Sequence, residues 1–438
     1  MRNVFITLSI VAWISLFGQR PEPAPPQEKP IVLWNVNVFP VNGKDSVLKG
    51  YALRFDSGII TFIKPISEVG AVDTAETIVL YELAGKNVYP SIIAMNTIVG
   101  LTDIDAVRPT HDFAETGMFT PEVRAIIAYN TDSRIIPTLR INGVLLVQTV
   151  PRRGIITGRS AVVQLDAWNW EDASVKPISG MHVFYPSLYQ HRGWWGSPVP
   201  PKYNKKQNEQ LDELKTFVEE SYAYCQNKPD HYPNIGYEAM CPVFKGEVPL
   251  FVHAWYSRDI MEAVEWFSKW DSIRLVVVTG ADVVRIIPEL KKRSIPVVYT
   301  AVHSLPLYED NEPFFPSQVP SILADSGILF SLTFGSSWEV RNLPYVAGTA
   351  VARGLPYLKA LEAITIKPAK ILGIDDKYGS LEVGKSATLI VTEGDILNIP
   401  KSRVVKAFID GRDVKLESHQ TVLYERYVKK YGLDKQRN

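Results

Sequence analysis

Cysteine is nearly absent: Cys225 and Cys241 are the only two in 438 residues. Two are too few for a zinc ribbon or an iron–sulfur framework. No surplus of one charge exists either, since 47 Lys plus Arg balance 47 Asp plus Glu. That excludes the broad cationic surface of a nucleic-acid-binding protein. A Gly-rich phosphate loop is missing after the first strand of the α/β-like region, which argues against a dinucleotide-binding sheet. Beyond the N-terminal stretch no membrane span is expected. What is plentiful is apolar sequence: 46% hydrophobic against 21% charged excludes a disordered chain, a collagen-like repeat and a coiled coil.

The apolar stretch runs from Val4 to Gly18 behind Arg2. It is short for a membrane span and has the pattern of a secretory signal, which predicts an exported, periplasmic or extracellular protein. Residues 1–20 are therefore read as the signal, and 21–30, rich in proline, as an extended linker. In an exported chain Cys225 and Cys241 either pair across Tyr232-Pro233-Asn234 or remain two buried thiols.

From Ile31 to Leu83 short strand-like runs alternate with turns, Asn42-Gly43 being a hairpin signal. After Asn87 the texture changes to buried-looking strand runs between helical stretches. Eight are expected: Val88–Met95, Val144–Val150, Ala161–Leu165, Met181–Tyr185, Pro249–Ala254, Ile273–Thr279, Pro296–Ala301 and Gly327–Thr333. Helices are expected at Ser257–Trp270 and Ala281–Lys292, and a helical pair at Leu358–Leu372 broken at Lys367-Pro368. Parallel strands with intervening helices predict an α/β fold, a (β/α)8 TIM-like barrel. Further strands are expected on both sides of Gly384, and a hairpin at Val404–Ile409 and Gly411–Leu416. Their pairing with the opening strands predicts a small composite β-sandwich domain built from both chain ends. The expected organisation is 31–87 and 377–418 for the sandwich, 88–376 for the barrel, and 419–438 for a terminal helix and tail.

The closing segment carries a resemblance. Thr365-Ile366-Lys367-Pro368-Ala369-Lys370-Ile371-Leu372-Gly373, followed by Gly379-Ser380-Leu381-Glu382-Val383-Gly384-Lys385-Ser386-Ala387-Thr388-Leu389, resembles the metal-dependent amidohydrolase superfamily in its imidazolonepropionase-like branch. That resemblance implies hydrolysis of a C–N bond in an amide, cyclic amide or peptide-like substrate. It also implies metal ligands at set positions, beginning with two histidines on the first barrel strand. Here those positions hold Asn96 and Ile98. The fifth strand keeps His253, the sixth has Thr279 where a histidine is expected, and the eighth carries no aspartate to move the proton.

Only one expected ligand survives, and one imidazole does not hold a catalytic zinc. The first expectation is therefore an exported amidohydrolase-like protein with a degenerate metal site and no cofactor. Its role would be that of a binding protein for a small-molecule or peptide-like ligand, or of a partner to a second copy or an active paralogue. The alternative is an active enzyme in which His253, His182 and His303 converge on zinc or another divalent metal. In a third reading Arg152 and Arg153, in a Gly-containing loop after the second strand, grip a carboxylate. Trp168, Trp170 and Trp194-Trp195 are read as aromatics near the barrel mouth.

Overall fold

The computed structural model describes residues 22–44, 46–70, 78–194, 197–227 and 233–433. The expected signal segment lies outside the described residues. Among them no helix is long and apolar enough to cross a membrane.

The chain opens with β1 (Ile31–Val38), β2 (Leu48–Asp56) and β3 (Ile59–Pro65), an antiparallel meander. β4 (Val79–Glu82) and β5 (Asn87–Pro90) then lie parallel to β1 on its other side. Val88 thus belongs to this sheet, and the barrel begins only at Ile92. Barrel strands in chain order are β6 (Ile92–Thr97), β7 (Val144–Thr149), β8 (Ile156–Gln164) and β9 (Ser174–Phe184). An outlying hairpin follows, β10 (Tyr189–Trp194) and β11 (Ser197–Tyr203). β12 (Leu250–His253), β13 (Leu275–Thr279), β14 (Val297–Tyr299) and β15 (Phe330–Leu332) complete the barrel. All eight expected strands are present. Closure between β15 and β6 is made by side chains: Thr333 donates to the Met95 carbonyl, and Ser331 Oγ lies 3.2 Å from Met95 Sδ.

One strand departs from the all-parallel expectation. β8 runs antiparallel to both β7 and β9, while the other seven run one way. The cause is length. A parallel crossover needs a dozen or more residues. β8 starts at Ile156 and not near Ala161, so only residues 150–155 separate it from β7. So short a connection can only turn back.

The closing strands β16 (Leu389–Glu393), β17 (Arg403–Ile409) and β18 (Arg412–Asp413) join the opening sheet, β16 pairing antiparallel with β5. Three strands separate β2 from β17, which in a flat sheet would set them about 19 Å apart. Yet the Phe55 and Phe408 rings meet at 5.0 Å. The sheet therefore folds over on itself around Leu33, Leu53, Val88 and Leu389, giving the composite sandwich. The segment before Leu389 forms turns and no strand, contrary to expectation.

Helices cover the barrel through ordinary amphipathic spacing. In the helix Ser257–Phe267 the buried residues Ile260, Ala263, Val264 and Phe267 follow the i, i+3, i+4, i+7 pattern. The expected pair near the end is Tyr357–Ile364 and Ile366–Leu372, broken at Thr365. Pro368 sits within the first turn of the second helix, where its missing N–H deprives no carbonyl of a donor. Cys225 and Cys241 form a disulfide that joins the helices Gln207–Gln226 and Ile235–Phe244.

The proline-rich segment is extended but docked. Its Ala24 N–H donates to Asp166 Oδ2 at 2.8 Å, and Gln27 Nε2 to the Phe55 carbonyl at 3.0 Å. Asp166 also takes an ion pair from Arg140, on the barrel, and one at 3.0 Å from Arg412, on the sandwich. One carboxylate thus clamps three parts of the chain.

Asp166→Ala leaves the buried Arg140 unpaired, and an expected loss of about 3–5 kcal/mol follows. Replacing both cysteines by serine is expected to cost about 3 kcal/mol through the freed loop. Urea unfolding of each variant measures both.

Candidate functional site

The barrel interior has an apolar lower half and a polar upper half. Ile93, Leu146, Val162, Phe251 and Val276 pack below, against Ala369 and Leu372 of the helix that plugs that end. Above them the inward positions become Gln148, Ser160, His182 and His253, all at most 1% exposed. Strand alternation explains the membership: Phe251 and His253 point inward together, while Leu250 and Val252 face the helices.

These side chains form one hydrogen-bonded string. The Asn96 N–H donates to Gln148 Oε1 at 3.1 Å, and Gln148 Nε2 donates to Ser160 Oγ at 3.0 Å. Ser160 Oγ lies 2.8 Å from His182 Nε2, and His182 Nδ1 lies 2.9 Å from His253 Nε2. His253 Nδ1 ends the string with no hydrogen-bond partner. Phe251 stacks on His182 at 4.8 Å and Phe184 on His253 at 4.0 Å. In this dry setting protonation is disfavoured. Burial, and secondarily the nearby Arg152 charge, push His182 down to about 3. Burial, then His182 and Arg152, hold His253 well below the usual imidazole range. Both rings are neutral at physiological pH.

Arg152 lies in the short loop that returns the chain into β8. Its Nη2 donates to the Asn96 carbonyl at 2.8 Å and lies 3.3 Å from Asn96 Oδ1. Nε is buried without a partner, and no carboxylate pairs with the guanidinium among the described residues. Burial alone pushes Arg152 down to about 10. Asn96 itself has φ +52°, a left-handed conformation that asparagine tolerates better than most residues, at a bulge in the β6–β7 ladder.

The other candidate positions fall elsewhere. His303 is exposed, with Nε2 2.9 Å from Thr349 Oγ1, because it lies four residues beyond β14 on a loop. It does not join His182 and His253. Thr279 lies two residues beyond Val277 on the same face of β13 and so faces the helix layer, away from the interior. Ile98 is half-buried, one residue past β6. Arg153 is exposed at φ +74°, so of the two loop arginines only Arg152 reaches the site. Trp168 is 65% exposed and binds no neighbour in the interior; Trp195 lies outside the described residues. Sequence reasoning passed over Gln148 and Ser160. A glutamine inside the apolar run Val144–Val150 is the signal that marks an inward polar position.

Among the described residues no three His, Cys, Asp or Glu side chains are grouped to hold a metal ion.

The amidohydrolase family model matches residues 315–414, the last helices of the barrel and the closing strands. The fold is similar to that of an amidohydrolase from Thermotoga maritima, at 22% identity, 88% coverage of this chain, 99% of that one and a TM-score of 0.76. It is also similar to a prolidase crystallised with N-methylphosphonate-L-proline, at 16% identity, 89% and 100% coverage and a TM-score of 0.56. An adenosine deaminase from Xanthomonas campestris with bound zinc follows at 13%, 93% and 98% coverage and a TM-score of 0.50. A search of curated proteins finds no match. Residues 315–414 thus match the amidohydrolase family, and the chain as a whole shares the fold of these proteins.

The neutral histidines make stability depend on pH. In the unfolded chain they titrate near 6.5, well above their folded values. Stabilisation from keeping them neutral is therefore complete above about pH 6.5 and is lost as pH falls towards the folded values. The unfolding free energy should drop by up to about 1.4 kcal/mol per pH unit for each histidine. Urea titrations between about pH 7.5 and 5 measure the slope, and His253→Gln should reduce it by roughly half.

Proposed function

We propose that this protein is an exported amidohydrolase-superfamily member whose barrel mouth binds a ligand or a partner subunit without metal-dependent hydrolysis. One observation carries the reading: the upper barrel offers two imidazoles that are bonded to each other, beside an unpaired guanidinium. A catalytic zinc site takes three protein ligands and keeps a fourth position open. Here a third donor is missing, and the Arg152 charge opposes a divalent cation at close range. The positions that the resemblance assigns to the first two histidines carry Asn96 and Ile98. The residues present do not fit the metal.

Export is supported by the N-terminal apolar segment and by the Cys225–Cys241 disulfide, which belongs to oxidising compartments. A small or peptide-like ligand is the occupant that the superfamily's barrels suggest, as in the prolidase bound to N-methylphosphonate-L-proline. A partner role would join the barrel to a second copy or to an active paralogue.

A second reading keeps a rearranged metal centre on His253. It is favoured by the 2.9 Å approach of the His182 and His253 nitrogens, two donors that already converge.

Metal content decides between them. After incubation with zinc, manganese and iron and then desalting, plasma mass spectrometry should find essentially no bound metal. About one equivalent per chain, abolished in His253→Ala, would instead establish the rearranged centre.

A further inference from the structure

Arg152 presents a problem that the protein alone does not solve. A guanidinium is always charged in practice, and withdrawing it from water is costly unless an anion or several acceptors replace the solvent. Its acceptors here are Asn96 O and Oδ1, both taken by Nη2. Nε is buried with no partner. Arg140, the other deeply placed arginine of the barrel, has Asp166 as its counter-ion. Arg152 has none.

A second unsatisfied atom belongs to the same end of the barrel. His253 is 1% exposed, and its Nδ1 has no partner. The hydrogen-bond string leaves that atom two forms, because the Ser160 hydroxyl can donate to His182 Nε2 or to the Gly180 carbonyl at 3.3 Å. Gln148 Oε1 accepts from the Asn96 N–H, so Gln148 donates to Ser160. When the Ser160 hydroxyl donates onward to His182 Nε2, His182 must donate from Nδ1 to His253 Nε2. His253 then carries its proton on Nδ1. In that arrangement every bond runs in one sense, from the Asn96 N–H towards a free imidazole N–H. An anion beside Arg152 selects this arrangement over its reverse, because it needs donors.

Arg152 is only partly covered, so one face of it is open to a solute; Gly335 packs against it, and an added Cβ there would come into ordinary contact, 3.5 Å from Arg152 Nη2.

We propose that the barrel mouth binds the carboxylate of a small organic acid, with Arg152 as its counter-ion and the His253 N–H as a second donor. The proposal rests on the reading that the mouth binds without a metal, and it names the ligand class of that same site. Carboxylate and inorganic phosphate share the required oxygens, and the measurement separates them.

Thermal unfolding of the whole, metal-chelator-treated protein is followed with sodium benzoate, inorganic phosphate and benzamide, each at about 10 mM. Benzoate is expected to raise the midpoint by about 1–3 °C. Benzamide, equal in shape and neutral, should not. Arg152→Met should abolish the response, and Arg153→Met, on the exposed neighbour, should keep it. In the unsubstituted protein the imidazole 15N resonances of His253 should shift on adding benzoate, a readout that survives if Arg152→Met fails to fold. Equal effects of benzamide, a response kept in Arg152→Met, a response to phosphate alone, or unmoved His253 resonances would each overturn the proposal. Metal content of the same samples separates the two claims. A metal-free protein indifferent to benzoate refutes the ligand class alone, whereas bound metal with amide hydrolysis refutes the reading beneath it.

Discussion

Desolvation in the upper half of the barrel is the constraint on which the chemistry of this protein depends. Two imidazoles stand against Phe251 and Phe184 with the Arg152 guanidinium nearby, and among the described residues no carboxylate acts on either ring. A carboxylate there would allow the histidines to charge and would neutralise Arg152. Without one, the rings stay neutral and hold one another by a hydrogen bond, and the charge that acts on both among the described residues is the positive one of Arg152. A positive charge so near two imidazoles disfavours a divalent cation at close range.

The geometry behind that centre comes from the reversal of β8. Because the strand runs backwards, its first residues lie at the mouth beside the last residues of its neighbours: Ile156 pairs with Val183 and Gly158 with His182. Ser160 is thereby delivered to His182, and the loop just before the strand carries Arg152 over the barrel. Gly158 lets this happen. At φ +110° an added Cβ would lie 2.7 Å from the Val123 carbonyl oxygen, so a larger residue would push the strand off the 120–123 segment. Asn96 completes the arrangement from β6, its left-handed backbone turning the carbonyl towards Arg152 while its N–H starts the string at Gln148.

The barrel was legible because its strands are continuous apolar runs, and the composite sandwich because the closing segment follows a familiar pattern. The strand direction of β8 was not legible. Starting that strand at Ala161 left room for a crossover that Ile156 removes, so an error of five residues became an error of polarity. His182 and His253 were visible as strand-borne histidines, yet their mutual hydrogen bond depends on register between β9 and β12, which no local pattern contains. His303 lies on a loop whose path is set by packing, and sequence spacing says nothing of where such a loop goes. Asn96, read as a lost ligand, has a backbone role that only a dihedral angle reveals.

The segment most responsible for the family likeness works at the far side of the molecule. Gly379, at φ +93°, passes so close to the helix Ile366–Leu372 that an added Cβ would sit 2.8 Å from the Ala369 side chain. Lys385 ties the turn by donating to the Asp375 carbonyl and to Ser380, each at 2.7 Å. Leu381 and Leu389 then enter the sandwich core, while Ala369 and Leu372 plug the lower end of the barrel. Nothing in that segment belongs to the polar string or to the Arg152 loop. Packing at the closing segment therefore holds the two domains together whatever side chains stand at the mouth.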